Sequence, residues 1–500
     1  MKSGQACARL VHIGAVCAAA ALVAGCGTTY RPVITPVATT GPAAQPSSYA
    51  IVVSSPAVTS PGIVTVIDYS GDTILAQAPI GPGPTSFTID EFGANGYTVN
   101  SDGTLSNFPV STSLQAKNVT YTTLETSFQP LNFFSPSAGL YATDLSSNSI
   151  DVFNGFPASY KLSIPVAPTP VILTGSQQIS ERDYSISQGN SQGGNVASGV
   201  TCNLSPRTAT AGEVDSVELA TFTVSAKNPA GRCPVYGLVS PDTKRVFVLN
   251  RGDDTITVIN GQTNSLNSCT PFTSQTGETV ICHPVLPLSL SAVTATGVTP
   301  PNGTAGMGAV AGPVFAEYNS VTSQLVVANY DGNTVSVIDV SLDQFGNDSA
   351  TFGTTFTIPV GKNPASVTAL ADGSRAYTAD QTDQTVSIVN LTSHTFEKAL
   401  PVAGGHPRTV VSTQNSLYGK VYAASPDSPF VTIIRTDLDL VDTTVLVEGN
   451  VVDVRVTTQN GSQGNAFVTS RVPGYGQPCY LPGAANGQTL ALCQTLPPPQ

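Results

Sequence analysis

The stretch of sequence that decides the fold reads Gln324-Leu-Val-Val-Ala-Asn-Tyr-Asp-Gly-Asn-Thr-Val-Ser-Val-Ile-Asp339. Two runs rich in β-branched residues flank a short polar turn, and the second run alternates between apolar and polar side chains, which predicts a β-hairpin. The same pattern recurs without a gap at 245–260 and 375–390, and more loosely at 139–154 and 420–435. The chain is therefore built from repeated hairpins.

A further short strand is expected before and after each hairpin. The preceding strand is often opened by a proline, as at Pro313 and Pro364, and the segment 355–361 is an example of the following strand. Four antiparallel strands in a unit of roughly 40 to 50 residues match the period of a β-propeller blade. The predicted units begin near Pro84, Pro130, Pro168, Pro234, Pro313, Pro364 and Pro407.

The segment 327–339 resembles the YVTN-type β-propeller repeat, whose Tyr-Val-Thr-Asn strand and Asn-Thr-Val-Ser-Val-Ile-Asp hairpin it nearly reproduces. The resemblance is strongest over 234–402, and such proteins are similar to the lactonase-type seven-bladed propellers. It implies an all-β propeller of four-stranded antiparallel blades. It does not imply one activity, because a single fold carries many functions.

Strand patterns at both ends of the chain lie outside these seven units, at 49–53, 63–68 and 73–80 in front and at 451–457 and 465–470 behind. A propeller removes exposed sheet edges by pairing its last strands with its first. We therefore expect the two ends to share one blade. The number of blades is then seven or eight, because a Gly-, Asn- and Ser-rich insertion interrupts the pattern of the unit at 168–231.

The N-terminus carries an export pattern. Lys2 and Arg9 precede an apolar run at 10–24, which is too short to span a bilayer, and small residues follow as in a secretory signal. Val23-Ala24-Gly25-Cys26 resembles the lipobox of bacterial lipoproteins. The alternative is an ordinary signal peptide with a chance cysteine.

The lipobox resemblance implies cleavage after residue 25, attachment of lipid, including palmitate, to Cys26, and a location in the bacterial cell envelope. Gly27 follows the cysteine where an Asp would favour the inner membrane, so we expect the outer membrane. The predicted organisation is a signal peptide at 1–25, a Thr-, Pro- and Ala-rich tether at 26–48, the propeller at 49–475 and a disulfide-containing tail at 476–500.

The charge of the chain argues against a nucleic-acid partner. The net charge is −12 at pH 7, and loss of Lys2 and Arg9 with the signal would leave 18 basic against 32 acidic side chains, or −14. Phosphate binding needs a basic surface that such a chain lacks. The expected partners are the membrane, through the lipid, and a protein or glycan of the envelope.

Six cysteines remain after removal of the signal and assignment of Cys26 to lipid. An even number in an exported chain indicates disulfides, and short loops are the least costly to close. We predict the pairs Cys202 with Cys233, Cys269 with Cys282, and Cys479 with Cys493. No Cys-x-x-Cys motif occurs, so we expect no metal site, and we expect no cofactor because the chain has no Trp for a stacked quinone and no haem-attachment motif.

Candidate site residues are few. His406 and Arg408 lie at the start of a predicted inner strand, and Arg455 lies on an equivalent late strand, where together they could bind an anionic ligand. An ordinary surface role is the alternative for all three. The acids expected on inner strands are Asp90, Glu317 and Asp453, and they form no recognisable motif.

Gly189-Asn190-Ser191-Gln192-Gly193 matches the nucleophile-elbow pattern, but no predicted helix follows Ser191. We therefore expect a flexible insertion there and no catalytic residue. The leading hypothesis is a lipid-anchored propeller that acts as a non-catalytic binding or assembly platform. The alternative is a lactonase-like or other hydrolytic propeller with its site at the channel mouth.

Overall fold

The computed structural model describes residues 49–457, apart from 91–92, 126–127, 129, 135–138, 176–181, 190–205, 274–276, 278, 289–306 and 418. The described chain is all-β except for two single-turn 3-10 helices, Ala116–Asn118 and Pro206–Thr208. The predictions for Cys26, Ser191, Cys202, Cys479 and Cys493 fall outside the described residues.

The strands form eight blades. The first three strands of the chain belong to blade 8, which the last strand completes. They are β1 (Tyr49–Ser55), β2 (Pro61–Asp68) and β3 (Ile74–Pro82). Blade 1 contains β4 (Ser86–Ile89), β5 (Asn95–Val99), β6 (Thr104–Pro109) and β7 (Thr120–Thr123). Blade 2 contains β8 (Pro130–Phe134), β9 (Gly139–Asp144), β10 (Ser149–Asn154) and β11 (Ser159–Pro165). Blade 3 contains β12 (Pro170–Gly175), β13 (Arg182–Ser187), β14 (Ala211–Glu218) and β15 (Thr223–Arg232).

Blade 4 contains β16 (Pro234–Val239), β17 (Arg245–Asn250) and β18 (Thr255–Asn260), followed by the short strands β19 (Ser265–Leu266), β20 (Phe272–Thr273), β21 (Thr279–Val280) and β22 (Val285–Pro287). Both β19 and β22 pair with β18, whereas β20 and β21 form a separate hairpin. Blade 5 contains β23 (Pro313–Asn319), β24 (Gln324–Asn329), β25 (Thr334–Asp339) and β26 (Thr355–Pro359).

Blade 6 contains β27 (Pro364–Ala369), β28 (Arg375–Asp380), β29 (Thr385–Asn390) and β30 (Thr395–Pro401). Blade 7 contains β31 (Thr409–Ser412), β32 (Lys420–Ala424), β33 (Phe430–Arg435) and β34 (Leu440–Leu446). The last strand, β35 (Asn450–Val456), pairs antiparallel with β1 and completes blade 8 in the order β35, β1, β2, β3. The predicted sharing of one blade by both chain ends is confirmed.

The first strand of each blade is its inner strand, and each inner strand contacts the next around a closed ring from β4 to β35 and back to β4. The protein is thus an eight-bladed β-propeller. Sequence analysis left seven or eight blades open because of the insertion in the 168–231 unit. That unit forms a complete four-stranded blade 3, which settles the number at eight.

The core lies between neighbouring blades. The second strand of a blade is buried on both faces, as in β17, where all six residues are buried. Burial on both faces explains why these strands read as nearly continuous apolar runs in the sequence. Complete burial of each Val, Leu or Ile contributes about 1.5–3 kcal/mol, so the inter-blade layers are the main source of stability.

The outer strands of five blades carry a β-bulge against the third strand, in blades 2, 3, 6, 7 and 8. In blade 7 the register shifts between Ile433, which pairs with Thr443, and Ile434, which pairs with Val441. A bulge twists an exposed edge and hinders pairing with another chain. The bulges therefore protect the open edges of the ring.

The asparagine that ends the second strand of several repeats has a structural role. Nδ2 of Asn329 donates to Oγ1 of Thr334 at 3.0 Å and to Oγ of Ser336 at 2.8 Å, which ties the hairpin turn to the third strand. Asn250 and Asn100 make the same pair of bonds in blades 4 and 1. This explains the recurrence of Asn in the motif.

Candidate functional site at the inner strands of blades 7 and 8

Two arginines and one aspartate meet where the inner strands of blades 7 and 8 adjoin. Arg408 immediately precedes β31, and Asp453 and Arg455 both lie on β35. The exposed fractions are 6% for Arg408, 2% for Asp453 and 1% for Arg455. All three side chains are withdrawn almost wholly from solvent.

Asp453 connects the two blades. Its Oδ2 lies 2.8 Å from Nη2 of Arg455, and its Oδ1 accepts a hydrogen bond of 2.9 Å from Oγ1 of Thr409 on β31. Nη2 of Arg455 also donates to the carbonyl of Phe87 on β4 at 3.0 Å. Side chains of β35 thus join blade 8 to both of its neighbours in the ring.

Arg408 has a different environment. Its Nη2 donates to the backbone carbonyl of Val452 on β35, and within the described part of the chain it has no carboxylate at ion-pair distance. Burial lowers the pKa of the Arg408 guanidinium, and the negative charge of Asp453 partly opposes that shift. Asp453 itself is already paired with Arg455.

His406 is held apart from this cluster. Its backbone N–H donates to Oδ1 of Asp427 at 2.8 Å, and its Nδ1 lies 2.7 Å from Oδ2 of the same residue. Its Nε2 lies 3.3 Å from Nε2 of Gln384, and about a third of the imidazole side chain is exposed. The structure therefore pairs Arg455 with Asp453, places Arg408 on the carbonyl of Val452 beside that pair, and holds His406 in a separate surface pair with Asp427.

Sequence reasoning did not identify Asp427, which lies 21 residues after His406 in the turn between β32 and β33. The one signal available was its place in the turn of the same predicted hairpin unit. The direction in which this turn points the carboxylate of Asp427, toward the loop that carries His406, cannot be predicted from the sequence spacing of the two residues.

The other two predicted inner-strand acids have separate local roles. Oδ1 of Asp90 accepts from the N–H of Ala94 at 2.7 Å, which closes the turn after β4. Oε1 of Glu317 accepts from Nε2 of Gln414 at 2.9 Å. In the regions that the structure describes, no group of three or more His, Cys, Asp or Glu side chains is arranged to hold a metal ion.

A second polar cluster surrounds Asp348, which is fully buried. Its Oδ1 lies 2.8 Å from Nη2 of Arg245, its Oδ2 accepts from Nδ2 of Asn267 at 2.8 Å, and the backbone N–H of His283 donates to Oδ2 at 2.9 Å. The contacts fix the segment that carries β20 and β21 against the loop after β25. This arrangement is structural, because both oxygens of the buried Asp348 are engaged by protein groups.

The predicted disulfide between Cys269 and Cys282 is confirmed, and it closes the segment that carries β20 and β21. Cys233 is also disulfide-bonded, whereas Cys202, its predicted partner, lies outside the described residues. The pair Cys479 and Cys493 stays a prediction.

Comparison with known proteins places the chain by fold. No family model and no curated protein sequence matches it. Apo AztD from Citrobacter koseri superposes with a TM-score of 0.53 at 11% identity, over 82% of this chain and 97% of that one. The dihydro-heme d1 dehydrogenase NirN in complex with DHE superposes with a TM-score of 0.51 at 13% identity, over 83% of this chain and 77% of that one. At such identities the likeness concerns the β-propeller fold alone.

Proposed function

We propose that this protein is a lipid-anchored β-propeller of the bacterial cell envelope that acts as a non-catalytic binding or assembly platform. The observation that carries the proposal is the use of inner-strand polar side chains to join neighbouring blades. A catalytic site needs polar groups that converge on a substrate and remain free to react with it. Polar side chains that bond one blade to the next are not free to react with a substrate, and they suit a rigid scaffold better than a catalytic site.

The bonds between blades 6 and 7 illustrate this use. Oγ1 of Thr368 and Oγ of Ser412 lie 3.0 Å apart between β27 and β31. Oγ of Ser366 accepts from the N–H of Val410 at 3.1 Å across the same boundary. Together with the bond from Thr409 to Asp453, they tie three consecutive inner strands of the ring.

Exposed aromatic side chains support a protein or glycan as the partner. The exposed fractions are 55% for Tyr121 on β7, 41% for Phe156 in the turn before β11, and 49% for Tyr160 on β11. Aromatic rings offer a large apolar face, and the two tyrosines add a polar hydroxyl group, which suits both protein interfaces and sugar rings. The outer parts of blades 1 and 2 are therefore the proposed contact region.

The second candidate function is a hydrolytic enzyme with His406 as general base. A histidine whose Nδ1 faces a carboxylate is oriented to accept a proton at Nε2, as in nucleophilic hydrolases. The 2.7 Å contact between His406 and Asp427 favours this candidate. The described contact of Nε2, however, is the amide of Gln384 and not a nucleophile.

Turnover assays on the full chain separate the two candidates. We expect no hydrolysis of a panel of lactones and simple esters above the buffer rate. The platform proposal is overturned if turnover occurs, is lost in His406→Ala, and is retained in the control His394→Ala with both circular dichroism spectra unchanged. His394 is the matched control because its ring stacks on Phe356 at 3.7 Å, away from any role in the His406 pair.

A further inference from the structure

The four most deeply buried arginines differ in one respect. Arg245, Arg251, Arg408 and Arg455 are each at most 6% exposed. Three of them have a carboxylate oxygen at 2.8 Å, on Asp348, Asp331 and Asp453 respectively. Within the described residues, Arg408 is the member of this set that has no such partner.

A buried guanidinium without a counter-charge is costly. Taking an ion out of water costs several kcal/mol, which a protein normally recovers through an opposite charge and additional hydrogen bonds. Arg408 donates to the carbonyl of Val452, but a guanidinium carries five N–H donors. The acid whose charge acts on Arg408 is Asp453, which is already paired with Arg455, so that pair offers little net charge to a second arginine.

We infer that Arg408 anchors a small oxyanion, a phosphate or carboxylate group, at the wall between the inner strands of blades 7 and 8. The inference rests on the proposed platform function and names the class of ligand that it would bind. An oxyanion supplies the missing negative charge and accepts two parallel N–H bonds from the planar guanidinium.

The position of Arg408 suits such a ligand. It immediately precedes β31, one of the inner strands, which line the central channel in propellers. The loop that leads to it reaches the surface, because His406, two residues earlier, is about one-third exposed. The carboxylate of Asp453 is held by Arg455 and Thr409. It therefore stays in its place when an anion binds to the guanidinium of Arg408.

Thermal unfolding of the full chain with inorganic phosphate, and separately with acetate, at constant ionic strength set by chloride, tests the inference. A ligand that binds only the folded state raises Tm in a saturable manner. We expect such a rise for the parent protein with at least one of the two anions. We expect Arg408→Leu to have a higher Tm than the parent without anion and no response to either anion, because it removes the uncompensated charge.

Arg435→Gln is the matched control, since Arg435 lies on β33 of the same blade and pairs with Asp437 at the surface. Its anion response should equal that of the parent. If Arg408→Leu does not fold, Arg408→Lys, which keeps the charge but loses the bidentate geometry, should bind phosphate at least tenfold more weakly by calorimetry. No response of the parent to either anion, or an undiminished response in the Arg408 variants, overturns the inference and leaves the platform proposal to the turnover assay.

Discussion

Thr457 and Tyr49 stand 408 residues apart in the chain and are joined by three hydrogen bonds, the longest of which runs from Oγ1 of Thr457 to the carbonyl of Tyr49 at 3.4 Å. The N–H of Tyr49 donates to Oγ1 of Thr457 at 2.7 Å, and the N–H of Thr457 donates to the carbonyl of Tyr49 at 2.8 Å. The bonds extend the β1–β35 ladder, in which Val52 lies opposite Val454. Closure of the eight-bladed ring therefore depends on contacts between the two ends of the described chain.

Truncation after Val447 should prevent stable folding. It removes β35, so that β1 and the inner strands of blades 7 and 1 lose a neighbour, and the buried residues Val451, Val454 and Val456 no longer cover the core of blade 8. Unpaired edges favour aggregation. Truncation after Thr457 is the matched control, because it keeps every described contact. Cooperative thermal unfolding of the chain ending at Val447 would contradict this view of closure.

Asp380 takes the position in blade 6 that Asn occupies in blades 1, 4 and 5. Its Oδ2 accepts from Oγ1 of Thr385 at 3.0 Å and from Oγ of Ser387 at 2.5 Å. Burial raises the pKa of Asp380 from 3.8 to about 7, although bonds from Ser387, Thr378 and Thr385 oppose the shift. Between about pH 4 and pH 7, the carboxyl group of Asp380 therefore keeps its proton in the folded state but loses it in the unfolded chain.

Because the folded pKa of Asp380 is raised, its contribution to stability is fully present below pH 4 and is lost as pH rises to about 7. Asp380→Asn should remove this component of the pH dependence and raise the free energy of unfolding above pH 7 by up to roughly 4 kcal/mol. The amide has a precedent in Asn100, whose Nδ2 donates to the equivalent hydroxyl groups of Thr104 and Ser106.

Chemical denaturation between pH 4 and pH 8 measures the effect of Asp380→Asn. The reverse variant, Asn329→Asp, is the control, because it places a carboxylate among the equivalent hydroxyl groups of Thr334 and Ser336. The free energy of unfolding of Asn329→Asp should fall with rising pH more steeply than that of the parent, because the parent has no titrating group at residue 329. Parallel curves for the parent and Asp380→Asn would show that Asp380 does not titrate in this range.

Asp183 on β13 is a second buried carboxyl, and both of its oxygens lack hydrogen-bond partners in the described structure. Burial raises the pKa of this carboxyl well above its usual range. The equivalent repeat positions hold Val246 and Leu325, which are equally buried. Asp183→Val should therefore stabilise the protein at pH 7 by about 1–3 kcal/mol, since an unsatisfied buried polar group is removed.

Asp215 provides the comparison for Asp183 within the same blade. It is also fully buried, but its Oδ2 accepts from the N–H of Ala167 at 2.5 Å. Asp215→Val should destabilise, because that N–H loses its partner. Urea unfolding at pH 7 decides the matter: a lower free energy of unfolding for Asp183→Val would refute the interpretation of Asp183 as an uncompensated group.

The repeat determined how much could be predicted. Alternating apolar strands and opening prolines identified the blade starts, and the requirement to pair free edges predicted the shared blade, because both are properties of the backbone pattern. The blade number stayed open since the insertion hides the pairing of β13 with β14. The burial of Arg408 and the pairing of His406 with Asp427 depend on side-chain packing between blades, which has no periodic signal in the sequence.

The last prediction concerns the proposed membrane anchor. No helix among the described residues is long and apolar enough to cross a bilayer. Cys26→Ser should prevent lipid attachment and move the protein from the membrane fraction to the soluble fraction, because stable anchoring of this kind depends on acyl chains attached to the protein. Metabolic labelling with palmitate, followed by fractionation, measures both effects. Cys17→Ser is the matched control, since Cys17 lies within the apolar run of the proposed signal and not at the proposed lipidation position, so labelling and membrane association should persist. Membrane association of Cys26→Ser equal to that of the parent would show that another part of the chain holds the protein at the membrane.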